Sequence, residues 1–314
     1  MMTLFASDWY KAGSLESGEM GVFLCPHLCS MGYAYVIGCI LTSTLLLVWL
    51  RVFRLPVFPL VTANYFVAVL AALIYRPLSW EGMAETPLPG WAGLMALGIL
   101  FVLVFSLTGR VSREIGVGLA GMLSKLSLVI PIGFSVIFLK EPITSRQIIG
   151  LILALSAIFL VHGPYLQEGG LHRLWRAMRW GILLWMGNGL IDTLFKAFQP
   201  QWRSLSDENI PPLIMSFAGL TGLIIHTVQR QFLHLTKGSL WVGALVLGLT
   251  NIASVIFYVK GLRSMPAVPF FLSLNLGIVL SSGILGIVFF RERFSWMVGL
   301  GYAAGLGAIG LLAG

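Results

Sequence analysis

The chain has 314 residues, 58% of them hydrophobic and only 10% charged, with a mean hydropathy of +0.92. Soluble domains carry about 25% charged residues, so this composition excludes a water-soluble globule and indicates an all-α polytopic membrane protein. The net charge of +8 is spread over many short connections. No basic run reads as a nucleic-acid patch, which leaves the lipid bilayer, through its anionic headgroups, as the partner of these loop charges.

Residues 1–30 form a mixed polar and apolar tail with Asp8, Glu16 and Glu19. It lacks the basic start and apolar core of a signal peptide and is expected to be a disordered extension or an upstream mis-start. The three cysteines, Cys25, Cys29 and Cys39, cannot build a disulfide framework. Cys25-Pro26-His27-Leu28-Cys29 has no second cluster to complete a metal tetrahedron, so these residues are read as incidental, with neither metal nor cofactor expected.

From Met31 onward the apolar stretches predict ten helices, near 31–50, 57–75, 91–108, 116–139, 146–162, 179–199, 211–228, 240–259, 267–290 and 295–313. Each approaches the roughly 20 residues needed to cross a bilayer, and helices satisfy their own backbone in lipid. A connecting loop at 163–178 divides the chain into five spans (31–162) and five more (179–314).

The halves resemble one another. When 131–161 is laid over 282–312, seven of 31 pairs are identical, including Glu141/Glu292 and Gly150/Gly301, and Ser124 falls opposite Asn275. An odd number of spans per copy inserts the second copy upside down, the usual construction of a secondary transporter with its site at the midplane. The repeated turn has local logic: Thr144 caps the fifth helix with Gln147 reaching back, and Ser295 takes the equivalent place. Glu141 and Glu292 are read as structural residues bonding helix ends.

The turns Lys140-Glu141-Pro142-Ile143-Thr144 and Arg291-Glu292-Arg293-Phe294-Ser295, each followed by a Gly-bearing helix, resemble the EamA-type branch of the drug/metabolite transporter superfamily. The glycine that precedes the glutamate in that pattern is replaced in both copies. The resemblance covers nearly all of 31–314 and implies a ten-helix, inverted-repeat carrier working by alternating access. It further implies that helices 1–4 and 6–9 line a cavity, with helices 5 and 10 outside. It does not separate amino acids, sugars or nucleotides as substrates, or import from export.

Lys125, Asp192 and Lys196 are the ionisable side chains expected at bilayer depth. A charge there costs from about 3 to above 10 kcal/mol and usually marks a pathway or site. Asn188, Asp192 and Lys196 recur every four residues and share one helix face, where Asp192 and Lys196 can pair. Lys125 borders a stripe containing Ser124, Ser127 and Pro131. Asn64, Asn251, Tyr258 and Asn275 complete the polar set, whose alternative use is inter-helix bonding. Two lysines against one aspartate leave one surplus positive charge, to be balanced by an anionic or zwitterionic substrate such as an amino acid, or by loss of a proton.

The expected function is a secondary carrier of a small polar metabolite, with a coupling proton or ion as a further partner. A lipid-linked flippase on the same scaffold is the alternative. An enzyme is not expected, because Asp192 is the one embedded acid and the five histidines fall in loops, tail or span ends. No GxxxxGK[ST] loop for ATP occurs. Gly301 and Gly305 make a small face for packing within the monomer or in a homodimer. The expected location is the plasma membrane, or the inner membrane of a bacterium. Positive-inside counting sets seven Lys/Arg on the side of the termini against eleven on the other, opposite to the orientation that the family resemblance implies.

Overall fold

The computed structural model describes residues 26–53, 55–80, 82–115, 124–167, 170–229, 238–290 and 296–313. They form α1 (Pro26–Val52), α2 (Val57–Tyr75), α3 (Leu88–Ile115), α4 (Val129–Ile137), α5 (Ser145–Gln167), α6 (Gly170–Phe198), α7 (Ile210–Gln229), α8 (Gly238–Ser264), α9 (Ala267–Phe290) and α10 (Trp296–Ala313). Among these residues, α1, α2, α3, α7 and α8 contain stretches long and apolar enough to cross a membrane, and the α4, α5 and α9 regions add shorter ones. The molecule is an all-α polytopic membrane protein. Large side chains such as Leu70, Ile74, Ile152, Ile224 and Val242 stand on the outside, where lipid replaces the water that would oppose them.

The helices depart from the sequence expectation in three places. Most of the segment 163–178 is helical and not a loop: α5 runs through Gln167 and α6 starts at Gly170, where Leu171, Arg173, Leu174 and Arg176 are good helix formers. α3 continues to Ile115, seven residues past its expected end. The fourth helix is broken: residues 124–126 are helical, 127–128 make a turn, and α4 proper begins at Val129. Pro131 explains the break, because it has no N–H to offer the Ser127 carbonyl. The Ile130 N–H takes that carbonyl instead at 2.9 Å, tightening the chain into a 3₁₀-like turn.

α8 lies against α1 and α2, α3 against α6 and α7, and α2 against α7. α9 packs on α1 and α5, α4 on α6, and α10 along α5. Contacts this close need missing side chains. A Cβ on Gly98 of α3 would stand 2.5 Å from Phe217 Cβ and 2.9 Å from the Ala218 nitrogen of α7. On Gly248 of α8 it would stand 2.8 Å from the Asn64 carbonyl oxygen of α2.

The α4–α5 turn is built as expected. The Gln147 N–H donates to Thr144 Oγ1 at 3.3 Å, and the Thr144 N–H donates to Gln147 Oε1 at 2.9 Å. Lys140 has φ +57°, a left-handed conformation that costs an L-residue about 1 kcal/mol. This is the position at which the family pattern carries glycine, so the pattern has a backbone reason.

One end of the bundle is tied together by loops 76–87 and 199–209. Asn209 Nδ2 donates to the Ser79 carbonyl at 2.9 Å, and Trp202 Nε1 to the Gly90 carbonyl at 2.9 Å. Arg263, in the last turn of α8, donates to the Trp202 carbonyl at 2.6 Å and pairs with Asp207. Glu208 stands 2.9 Å from Lys260 and 3.5 Å from Arg76. The hydrogen bond from Lys260 holds the Glu208 carboxyl below the usual glutamate range. A lowered acid pKa stabilises the fold above the unfolded value, and that contribution is lost as pH falls through the folded value. Glu208→Gln is therefore expected to lower the melting temperature at neutral pH, by a small amount because the group is partly solvated. The gap should close in acid, and melting curves of both proteins from pH 7 to pH 3 check it.

Candidate functional site

α6 carries the expected face of Asn188, Asp192 and Lys196, but the three have different partners. Asn188 Nδ2 donates to its own helix, at the Leu184 carbonyl 2.8 Å away. Asp192 Oδ1 accepts the Tyr258 hydroxyl of α8 at 2.7 Å. Lys196 Nζ lies 2.6 Å from Glu141 Oε1 in the α4–α5 turn. The expected Asp192–Lys196 pairing is thus replaced by one contact to another helix, α8, and one to the α4–α5 turn. The physical reason is that each side chain reaches a partner with better geometry than an i,i+4 neighbour along one helix, which contributes only about 0.5 kcal/mol.

Glu141 bonds a helix end as expected, since its Oε2 accepts the Ala267 N–H at the start of α9, 3.2 Å away. A carboxylate there also meets the positive end of the helix dipole. Its pairing with Lys196 was not legible in the sequence. Glu292 and Ser295, the equivalents in the second copy, lie outside the described residues.

Lys125 sits on the short helical turn before the Pro131 break. Asp192 of α6 and Cys39 of α1 are within electrostatic reach of its amine. Yet no carboxylate among the described residues lies within salt-bridge distance of it. Beside it, Ser127 Oγ donates to the Ser124 carbonyl at 2.6 Å, so this hydroxyl closes the local turn. Asn64 and Asn251 meet each other across α2 and α8 at 3.2 Å, as inter-helix bonding residues do. Asn275 Nδ2 donates to the Phe271 carbonyl of its own helix at 2.9 Å.

The structure adds a group that the sequence reading set aside. Cys39 and Ser43, one turn apart on α1, face Ser254 of α8: Ser43 Oγ lies 2.8 Å from Ser254 Oγ, and the Cys39 thiol 3.5 Å from the Ser254 carbonyl. The signal was the i,i+4 spacing of Cys39 and Ser43 in an apolar helix, hidden when Cys39 was grouped with the tail cysteines.

On the tied-end side of Asp192 stands an aromatic layer. The Tyr258 ring is 4.8 Å from Phe195 and 5.1 Å from Phe270, centroid to centroid. Phe195 in turn meets Phe101 at 6.1 Å and Trp202 at 6.2 Å. Through Tyr258 and Trp202 these rings run from Asp192 to the tied end. The central arrangement is therefore one cation and one hydrogen-bonded carboxylate, drawn from α6, α8 and the turn before α4, with apolar rings on one side.

A model of the EamA-like transporter family matches residues 30–163. This agrees with the resemblance of the 140–144 turn, and the matched segment contains Lys125, Cys39 and Glu141. The chain is 27% identical over 218 residues to an uncharacterized protein of Haemophilus influenzae, spanning 68% of this chain and 72% of that one. A crystal structure 16% identical in sequence superposes with a TM-score of 0.70 over 90% of this chain and 97% of the other. At that identity the likeness carries the fold alone.

Proposed function

We propose that this protein is a secondary carrier that moves a small zwitterionic metabolite across the membrane by alternating access, without catalysing a reaction. The observation that carries this reading is Lys125, a cation in an apolar bundle with Asp192 nearby but not in contact. Lys196 no longer counts as surplus charge, because Glu141 matches it at 2.6 Å. The site is left with one positive and one negative group. A solute with both an anionic and a cationic end neutralises both, whereas a plain anion leaves Asp192 without a counter-charge. The anionic end fits Lys125. The cationic end fits Asp192 beside the faces of Tyr258 and Phe195. Protonation of Asp192 in place of that cationic end would couple transport to a proton.

The two halves, 31–162 and 179–314, are read as inverted repeats. Their contacts support this. Exchanging every helix with the one five places away turns α1–α8 into α6–α3, α2–α8 into α7–α3, and α1–α9 into α6–α4, all of which occur. Trp91, Gly93, Leu97 and Gly98 fall opposite Trp241, Gly243, Leu247 and Gly248 at one constant offset. Both Gly98 and Gly248 serve the equivalent close contact.

The test is a binding panel on purified protein followed by thermal melting. A ligand at a hundredfold excess over its Kd stabilises the fold by about 2.7 kcal/mol. Zwitterions are expected to raise the melting temperature, while the same skeletons lacking the amine or the carboxylate should bind at least roughly tenfold more weakly. Equal binding of the plain anion would remove Asp192 from the site, and no shift with any small polar solute would sink the carrier reading.

A further inference from the structure

α6 holds Asp192 at the site and, one turn further on, Lys196 at the tied end. The contact that Lys196 makes is the junction of three elements. Its Nζ lies 2.6 Å from Glu141 Oε1, and the other carboxylate oxygen accepts the Ala267 N–H at 3.2 Å. The junction joins the α4–α5 turn of the first half to α6 and the start of α9 in the second. Lys196 is 11% exposed and Glu141 22%, so the pair is shielded from the solvent that makes exposed ion pairs weak. Separating it strands two partly dehydrated charges. We propose that the Lys196–Glu141–Ala267 junction is a latch that holds the tied end closed, and that it must open for the site to face that side.

An alternating carrier with a latch at one end rests closed at that end. This inference rests on the carrier reading but not on which solute is carried.

Cys39, buried beside the site, reports on the opening. With Cys25 and Cys29 replaced by serine, a membrane-impermeant methanethiosulfonate is applied to right-side-out and to inside-out vesicles, and Cys39 labelling is timed. Lys196→Met and Glu141→Gln should each label about tenfold or more faster from one side only, a shift of the closed–open balance by that factor. Lys196→Arg, which keeps the pair, should label as the parent does. Unchanged rates in both charge-removing variants, or acceleration from both sides equally, would overturn the latch. So would failure of both variants to fold, which would place the pair in folding rather than gating. Loss of transport with unchanged labelling counts against the latch alone, and normal labelling shifts with no transported solute count against the substrate reading alone.

Discussion

Lys125→Met is expected to weaken binding of a zwitterionic solute by roughly a hundredfold, about 2.8 kcal/mol, the scale measured for removing one partner of a buried charge pair. Methionine keeps the apolar stem and removes the ammonium. The free protein should therefore fold, and should melt at the same or a higher temperature, because a dehydrated cation with no carboxylate in contact has been removed. Falling affinity together with preserved stability distinguishes a binding role from a structural one. Lys196→Met gives the contrast. Lys196 is held by Glu141, so its loss should change ligand affinity only a few-fold while reducing the stability of the empty protein. Ligand titrations followed by melting temperature, on both variants, check the pair of outcomes.

Gly98→Val is expected to be the most damaging single change outside the site, costing about 3 kcal/mol or more. The atoms that a Cβ would meet are Phe217 Cβ at 2.5 Å, the Ala218 nitrogen at 2.9 Å and the Ile214 carbonyl oxygen at 2.9 Å. None of these can rotate away, since all are fixed to the backbone of α7. Relief requires α3 and α7 to separate, and α3 also carries α6, on which Asp192 and Lys196 stand. Gly133→Ala is the control, because a Cβ there meets nothing within 4 Å, and the helix gains up to about 1 kcal/mol of propensity. Melting of the two variants in detergent should place Gly98→Val far below the parent and Gly133→Ala at or above it.

What could be read from sequence followed the range of the interactions. The apolar spans were legible because each helix satisfies its own backbone in lipid. The Thr144–Gln147 capping box was legible because its members are three residues apart. Asp192 and Lys125 stood out because charge is rare in such helices. The Tyr258 hydroxyl on Asp192 joins residues 66 apart, and Lys196 reaches Glu141 from another helix. Local reading offered the i,i+4 neighbour instead. Segment 163–178 reads as a loop through its Gly-Gly pair and its arginines, although α5 and α6 run into it from either side. Cys39 was passed over because its partner, Ser254, is 215 residues away.

The Tyr258 ring has two attachments that no single rotation can relax separately. Its hydroxyl is on Asp192, and its ring meets Phe195 at a tilt and Phe270 in a T-shaped contact. Turning the ring away from these neighbours withdraws the phenol from the carboxylate, so loosening the ring cluster and baring Asp192 are one mechanical event. A solute that takes the place of the phenol on Asp192 therefore also disturbs the Phe195 and Phe270 contacts, so binding at the carboxylate and rearrangement of the rings are coupled.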